Sequence, residues 1–315
     1  MKSITLYCII LCLALLGSYK SYSQEYKREV IELWKAGRVP FNKENIELAE
    51  KIDAENKRFT QISNPVIFLF RNEENKKPGP ALLFCPGGGY ERVTIGQDRG
   101  ESYAKLFFSM GFNVVAVLKY RLPDSRIVSE PDKAPLCDAQ KALSILHRNA
   151  AKWKIDRKKI GVMGGSAGGH VAASLANLSK DIYAPGVKPK QLSQAFSILL
   201  FPVISFNLPY RHEGSYQHLL ADKVQDQNLI DYFSLEKQVN PDTPPTFLAH
   251  ATDDRAVPYQ NSLIYAEQLQ KYGVPYKYIQ LNKGGHGFGL DLSRVDQNWM
   301  LELEEWLNAV LKEIR

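Results

Sequence analysis

The chain has 315 residues, 44% of them hydrophobic and 23% charged, which is enough for one large domain with a substantial core. The formal charge of +6 is mild and spread along the sequence. Its densest run, Arg157-Lys158-Lys159, precedes an apolar stretch and reads as a solvated loop, which argues against a nucleic-acid partner.

In chain order, Met1-Lys2 is followed by an apolar run over residues 4–16 and by the small residues Ser21 and Ser23. This pattern predicts a secretory signal peptide over 1–23, too short for a comfortable membrane span, and a secreted or periplasmic mature chain beginning at Gln24. An uncleaved anchor is the alternative. Cys8 and Cys12 would leave with the signal, and Cys85 and Cys137 would remain. An oxidising compartment permits a bond between them, but one sits in a strand pattern and the other in a helix pattern, so two buried thiols are the plainer reading. Residues 24–64 are polar and helix-prone. They predict an N-terminal arm packed on the remainder and anchored by Leu33-Trp34.

From residue 65 to the C-terminus, apolar strands alternate with amphipathic helices. Strands are expected over 66–70, 81–85, 114–119, 160–163, 196–201, 246–250 and 276–280. Helices are expected over 101–110, 134–153, 167–178, 262–272 and 297–313. This alternation implies one α/β domain over 65–315, with a mostly parallel sheet covered by helices on both faces. No repeat, low-complexity tract or linker interrupts it.

The most informative run is Gly164-Gly165-Ser166-Ala167-Gly168, which joins the strand at 160–163 to the helix at 167–178. Glycines two positions either side of a serine suit a turn so sharp that a Cβ would collide with its neighbours. Such a turn leaves the hydroxyl exposed at the strand end, above a helix N-terminus that favours negative charge. A serine alcohol becomes a nucleophile only when a base oriented by a carboxylate takes its proton. Both follow downstream at strand ends: Asp253-Asp254 after 246–250, and Gly284-Gly285-His286-Gly287 after 276–280.

Six histidines compete for the base. His286, flanked by glycines, suits a side chain projecting into a cleft. His170, one turn after Ser166, reads as packing beneath the turn. His250 and His147 read as structural, and His212 and His218 as solvated members of a polar insertion over 211–231. Adjacent residues leaving a strand point apart, so only one aspartate can face His286. The spacing to Val257-Pro258 favours Asp254, and Asp253 reads as a loop residue. Upstream, Pro86-Gly87-Gly88-Gly89-Tyr90 ends a strand in three glycines whose unhindered N–H groups can approach an oxyanion, with the Ala167 N–H as a further donor. Tyr90 and Phe288 adjoin these loops and are expected either to stack on substrate or to pack. No His/Cys spacing of a metal site occurs, and no cofactor is expected.

Taken as an ordered set, these residues resemble the α/β-hydrolase superfamily, and within it the secreted acetyl-esterase and xylan-esterase-like branch related to feruloyl esterases. The matching pieces also include Tyr120-Arg121-Leu122-Pro123 and Asp138-Ala139-Gln140-Lys141-Ala142. The resemblance implies a triad of Ser166, Asp254 and His286, and an oxyanion hole at Gly88, Gly89 and Ala167. It implies removal of an acyl group, foremost acetyl, from polysaccharide or oligosaccharide fragments. Three alternatives stay open: a feruloyl or short-chain aryl or lipid esterase, a prolyl-oligopeptidase-like peptidase, and a catalytically silent binding module.

Overall fold

The computed structural model describes residues 26–53, 55, 58–96, 98 and 100–314, so the expected signal segment over 1–23 lies outside the described residues. The strands are β1 (Tyr26–Glu32), β2 (Lys51–Asp53), β3 (Arg58–Thr60), β4 (Val66–Asn72), β5 (Gly79–Cys85), β6 (Val93–Thr94), β7 (Val114–Lys119), β8 (Ile155–Gly165), β9 (Ser197–Leu200), β10 (Thr246–Ala251) and β11 (Tyr276–Leu281). The helices are α1 (Glu101–Ser109), α2 (Ala134–Arg148), α3 (Ala167–Asn177), α4 (Glu213–Leu220), α5 (Gln227–Tyr232), α6 (Gln260–Lys271) and α7 (Trp299–Glu313).

The main sheet has the order β1-β4-β7-β5-β8-β9-β10-β11. β4 is antiparallel to β1 and β7, and the pairings from β7 to β11 are all parallel. A strand covered on both faces must be apolar throughout, as β7 shows: Val114, Val115, Ala116, Val117 and Leu118 are all fully buried. α2 opens with Pro135 in its first turn, where the missing N–H costs nothing, and it buries Leu136, Ala139, Leu143 and Leu146 along one stripe. It ends at Arg148, short of the expected residue 153, although Trp153 remains buried. α7 starts at Asn298, whose side chain accepts the Met300 and Leu301 N–H groups at 3.2 and 3.4 Å.

The arm departs from its predicted helical character. Residues Tyr26–Glu32 form an edge strand in full register with β4, and β2, β3 and β6 make a small separate antiparallel sheet. The reason is tertiary: the open edge of β4 presents a row of backbone donors and acceptors, and pairing with it outweighs local preference. Leu33 and Trp34 are buried as expected, and Trp34 Nε1 donates to Asp138 Oδ1 at 3.0 Å. Asp138 also takes both ends of the fully buried Arg121 fork, Nε at 2.9 Å and Nη2 at 2.8 Å. The remaining Arg121 nitrogen, Nη1, donates to the Pro40 carbonyl and to Asn42 Oδ1. The arm therefore supplies acceptors that this buried guanidinium would otherwise lack.

Cys85 and Cys137 are free and buried, in keeping with the two-thiol reading. Burial pushes the Cys137 thiol up to about 12 and that of Cys85 higher still, so neither is a reactive thiolate. Because β5, β8, β10 and β11 run parallel, their C-terminal ends share one edge of the sheet. Residues 86–89, 166, 254 and 286 all follow those ends. No helix among the described residues is long and apolar enough to cross a membrane.

Candidate active site

Ser166 sits between β8 and α3 with φ 54° and ψ −127°, a conformation that non-glycine residues rarely adopt. The turn is held by Ser166 N–H donating to Leu200 O at 3.1 Å and by Ser166 O accepting from Val203 N at 3.1 Å and His170 N at 3.2 Å. The flanking glycines are there for space. A Cβ on Gly164 would lie 2.1 Å from the Gly168 carbonyl oxygen, and one on Gly168 would lie 2.1 Å from that of Cys85. Gly87 is equally confined, since its Cβ would come within 3.0 Å of Ser166 Cβ. The glycine loop and the serine turn thus pack backbone to backbone.

The structure brings the three sequence-predicted residues together. His286 Nε2 lies 2.9 Å from Ser166 Oγ, and His286 Nδ1 lies 2.7 Å from Asp254 Oδ2. An ionised carboxylate only accepts, so Nδ1 carries the proton and Nε2 presents its lone pair to the serine hydroxyl. Burial by itself would raise the Asp254 pKa, but hydrogen bonds from His250 and His286 outweigh it and hold the carboxyl well below the usual range. Its other oxygen, Oδ1, accepts the Ala256 and Val257 N–H groups at 2.8 and 3.0 Å. His250 is structural, as expected, but its task is local to the site. Nε2 faces Asp254 Oδ2 at 3.2 Å and Val257 O at 3.1 Å, while Nδ1 faces Ser262 Oγ at 2.8 Å.

Asp253 points elsewhere: its Oδ1 accepts the Gly285 N–H at 2.7 Å and so pins the loop that carries His286. Arg294, which carries no local motif that would single it out, clamps the same loop by donating to the carbonyls of Gly284, His286 and Gly287. Gly88 and Gly89 line a cleft of about 750 Å³ together with Ser166 and His286. Both glycines have positive φ, 137° and 66°, and their N–H groups donate to no protein acceptor among the described residues. Ala167 is wholly buried and begins α3 directly after the serine.

The substrate-stacking alternative for Tyr90 and Phe288 is corrected. Tyr90 cannot stack on a substrate because it is buried, with its hydroxyl 2.8 Å from His170 Nδ1 and its ring against Tyr120 and His170. Phe288 is likewise buried, packed edge-on to Phe201 and Trp299. The aromatic side chains that line the cleft near the serine are instead Phe84, Tyr103 and Phe201, of which Tyr103 is partly exposed and the two phenylalanines are buried. His170 does pack beneath the turn, stacked on Phe206 and bonded to Phe233 O, and burial pushes its pKa down to about 4.

The insertion over 211–231 is a further correction. It holds α4 and α5, buries Tyr216, Leu219, Leu220 and Ile230, and forms one wall of the cleft through His212 and His218. His218 Nδ1 donates to Gly89 O at 2.9 Å, tying this wall to the glycine loop. His212 caps α4 by accepting the Ser215 N–H at Nδ1, which leaves the proton on Nε2. Burial, followed by the neighbouring His286, lowers the His212 pKa. Among the described residues, no group of three or more His, Cys, Asp or Glu side chains could hold a metal.

A solved acetyl ester-xyloside bifunctional hydrolase from Caldicellulosiruptor lactoaceticus superposes with a TM-score of 0.74 at 30% identity, covering 90% of this chain and 96% of that one. An endo-1,4-beta-xylanase B of Butyrivibrio fibrisolvens is 33% identical over 75% of this chain and 36% of its own length. An acetylxylan esterase of Xylanibacter ruminicola is 29% identical over 74% of this chain and 46% of its own length. The chain therefore spans less than half the length of the two curated relatives. The fold is that of the α/β hydrolases, and since the BD-FAE family model matches residues 67–269, the chain belongs to the BD-FAE family.

Proposed function

We propose that this protein is a serine esterase that removes a short acyl group, foremost acetyl, from saccharide chains through an acyl-enzyme. The observation that carries the reading is the continuous hydrogen-bond path from Ser166 Oγ through His286 to Asp254, at the floor of a cleft lined by Gly88 and Gly89. Ser166 Oγ attacks the ester carbonyl carbon as its proton passes to His286 Nε2. The oxyanion accepts hydrogen bonds from the Gly88, Gly89 and Ala167 N–H groups, each such donor being worth roughly 10²- to 10³-fold in kcat. The imidazolium, held by Asp254, gives its proton to the departing sugar oxygen. Water then attacks the acyl carbon with His286 as base, and Ser166 leaves reprotonated.

The saccharide part of the reading is supported by the names of the matched relatives, an acetylxylan esterase and an acetyl ester-xyloside hydrolase. The export pattern over 1–23 agrees with a polymeric substrate outside the cell, with 24–64 as the arm and 65–315 as the catalytic domain. The test is a hydrolysis screen on enzyme recovered from medium or periplasm, whose intact mass should match a chain beginning at Gln24. Acetate should be released from acetylated xylo-oligosaccharides, and rates on aryl esters should fall steeply from acetyl to longer chains. A preference for octanoate, or turnover of methyl ferulate but of no acetylated sugar, would overturn it.

A further inference from the structure

A second hollow, of about 390 Å³, adjoins the cleft and shares Glu91 and His218 with it. The ridge between the two spaces carries these two side chains, one of them fixed to the glycine loop through Gly89 O. On the far side, Gln61 is held at φ 55°, an uncommon conformation for a non-glycine residue. Its Oε1 is buried and has no hydrogen-bond partner among the described residues. A buried acceptor left open is destabilising unless a donor arrives, and strained residues of this kind concentrate at binding sites.

The remaining lining sets the chemistry of what would fit. Leu122 and Pro123 supply a small apolar surface, while Thr60 and Ser125 add hydroxyls. Among the charged lining residues, Glu91 Oε2 accepts from Arg92 Nη1 at 2.7 Å, and Arg126 grips Asp124 through Nε and Nη2 at 2.8 and 2.7 Å. A neutral ligand with hydroxyl donors and a short C–H face matches this surface, and an ionic group finds no free countercharge in that pair. Those are the properties of a pyranose ring.

We propose that this hollow is a distal subsite, which takes a neutral sugar unit of the chain that carries the acyl group, with the Gln61 amide turning so that its covered Oε1 accepts one of its hydroxyls. The proposal rests on the saccharide reading above and adds that the enzyme senses chain length. The experiment compares kcat/KM on an acetylated xylose monosaccharide with that on acetylated xylo-oligosaccharides, for the parent enzyme, Gln61→Asn and Ser125→Tyr. The parent should favour the oligomers by about tenfold or more, equivalent to about 1.4 kcal/mol. Gln61→Asn withdraws the acceptor, and Ser125→Tyr fills the mouth from an exposed loop where folding is not at stake, so each should bring the ratio toward one. A parent ratio near one, or variants that keep the parent ratio, overturns the subsite alone. Failure to hydrolyse any acetylated saccharide overturns the saccharide reading and this proposal together.

Discussion

Replacing Asp254 by asparagine should disable the enzyme through a tautomer, and the structure says which way the amide would turn. Oδ1 now accepts two backbone N–H groups, from Ala256 and Val257, while Oδ2 accepts from His286 Nδ1 and His250 Nε2. An asparagine has one acceptor oxygen, and the two backbone donors hold it in place of Oδ1. Its NH₂ group then faces His286 Nδ1 and donates to it, which moves the imidazole proton to Nε2. Ser166 would meet an N–H where it needs a lone pair. The side chain is fully covered, so no water can take over the task. The expected loss in kcat is about 10⁴-fold, or about 5.4 kcal/mol at 1.36 kcal/mol per decade. Asp253→Asn is the internal control, since an asparagine keeps an oxygen for the Gly285 N–H and should cost less than about tenfold. Steady-state kcat on 4-nitrophenyl acetate, with far-UV circular dichroism melting to confirm folding, measures both. If Asp254→Asn keeps more than about a tenth of the parent kcat, or the two variants fall equally, the tautomer argument fails.

Two further outcomes follow from the same architecture. Gly168→Ala should lower stability by about 3 kcal/mol or more, because its Cβ would lie 2.1 and 2.4 Å from the Cys85 and Pro86 carbonyl oxygens, and an unchanged melting temperature would show that the turn has room. The pH dependence of stability should be governed by His170, whose pKa falls from 6.5 to about 4 on burial. The unfolded chain takes up that proton first, so the stabilisation is complete above about pH 6.5 and is lost as pH falls toward 4, by on the order of 3 kcal/mol. His147 and His212, also depressed by burial, act in the same sense, and depressed Asp254 extends the loss below the ordinary carboxylate range. Urea unfolding at neutral and mildly acidic pH measures this, and a flat profile would contradict it.

The residues that the fold brings together at the candidate site were legible because each is marked by local constraints: glycines where the turn has no room, and loops that follow apolar strands. The choice of Asp254 over Asp253 was readable from spacing, though the loop-pinning task of Asp253 was not. What stayed hidden depends on distant partners. Tyr90 and Phe288 are next to the catalytic loops in sequence, yet nothing local says that His170 and Phe201 wait to cover them. His212 read as solvated because only the fold brings it into the cleft wall, whereas His218 is exposed as read and only its bond to Gly89 O was hidden. The edge strand at Tyr26–Glu32 was missed for the same reason, since its partner lies beyond residue 65.

The ion pair between Arg121 and Asp138 redraws the boundary of the folding unit. The recognisable family stretch begins at residue 67, and a shortened protein designed on that basis would discard Trp34, Pro40 and Asn42. Those groups complete the solvation of two charges that have no access to water. Their removal would take from Arg121 Nη1 both of its acceptors while the pair with Asp138 stays, and each hydrogen bond lost to a charged group costs about 1.5–3 kcal/mol. A large share of a typical domain's whole stability margin therefore resides in a segment that lies outside the family match over residues 67–269. Any minimal version of this enzyme has to start upstream of Leu33.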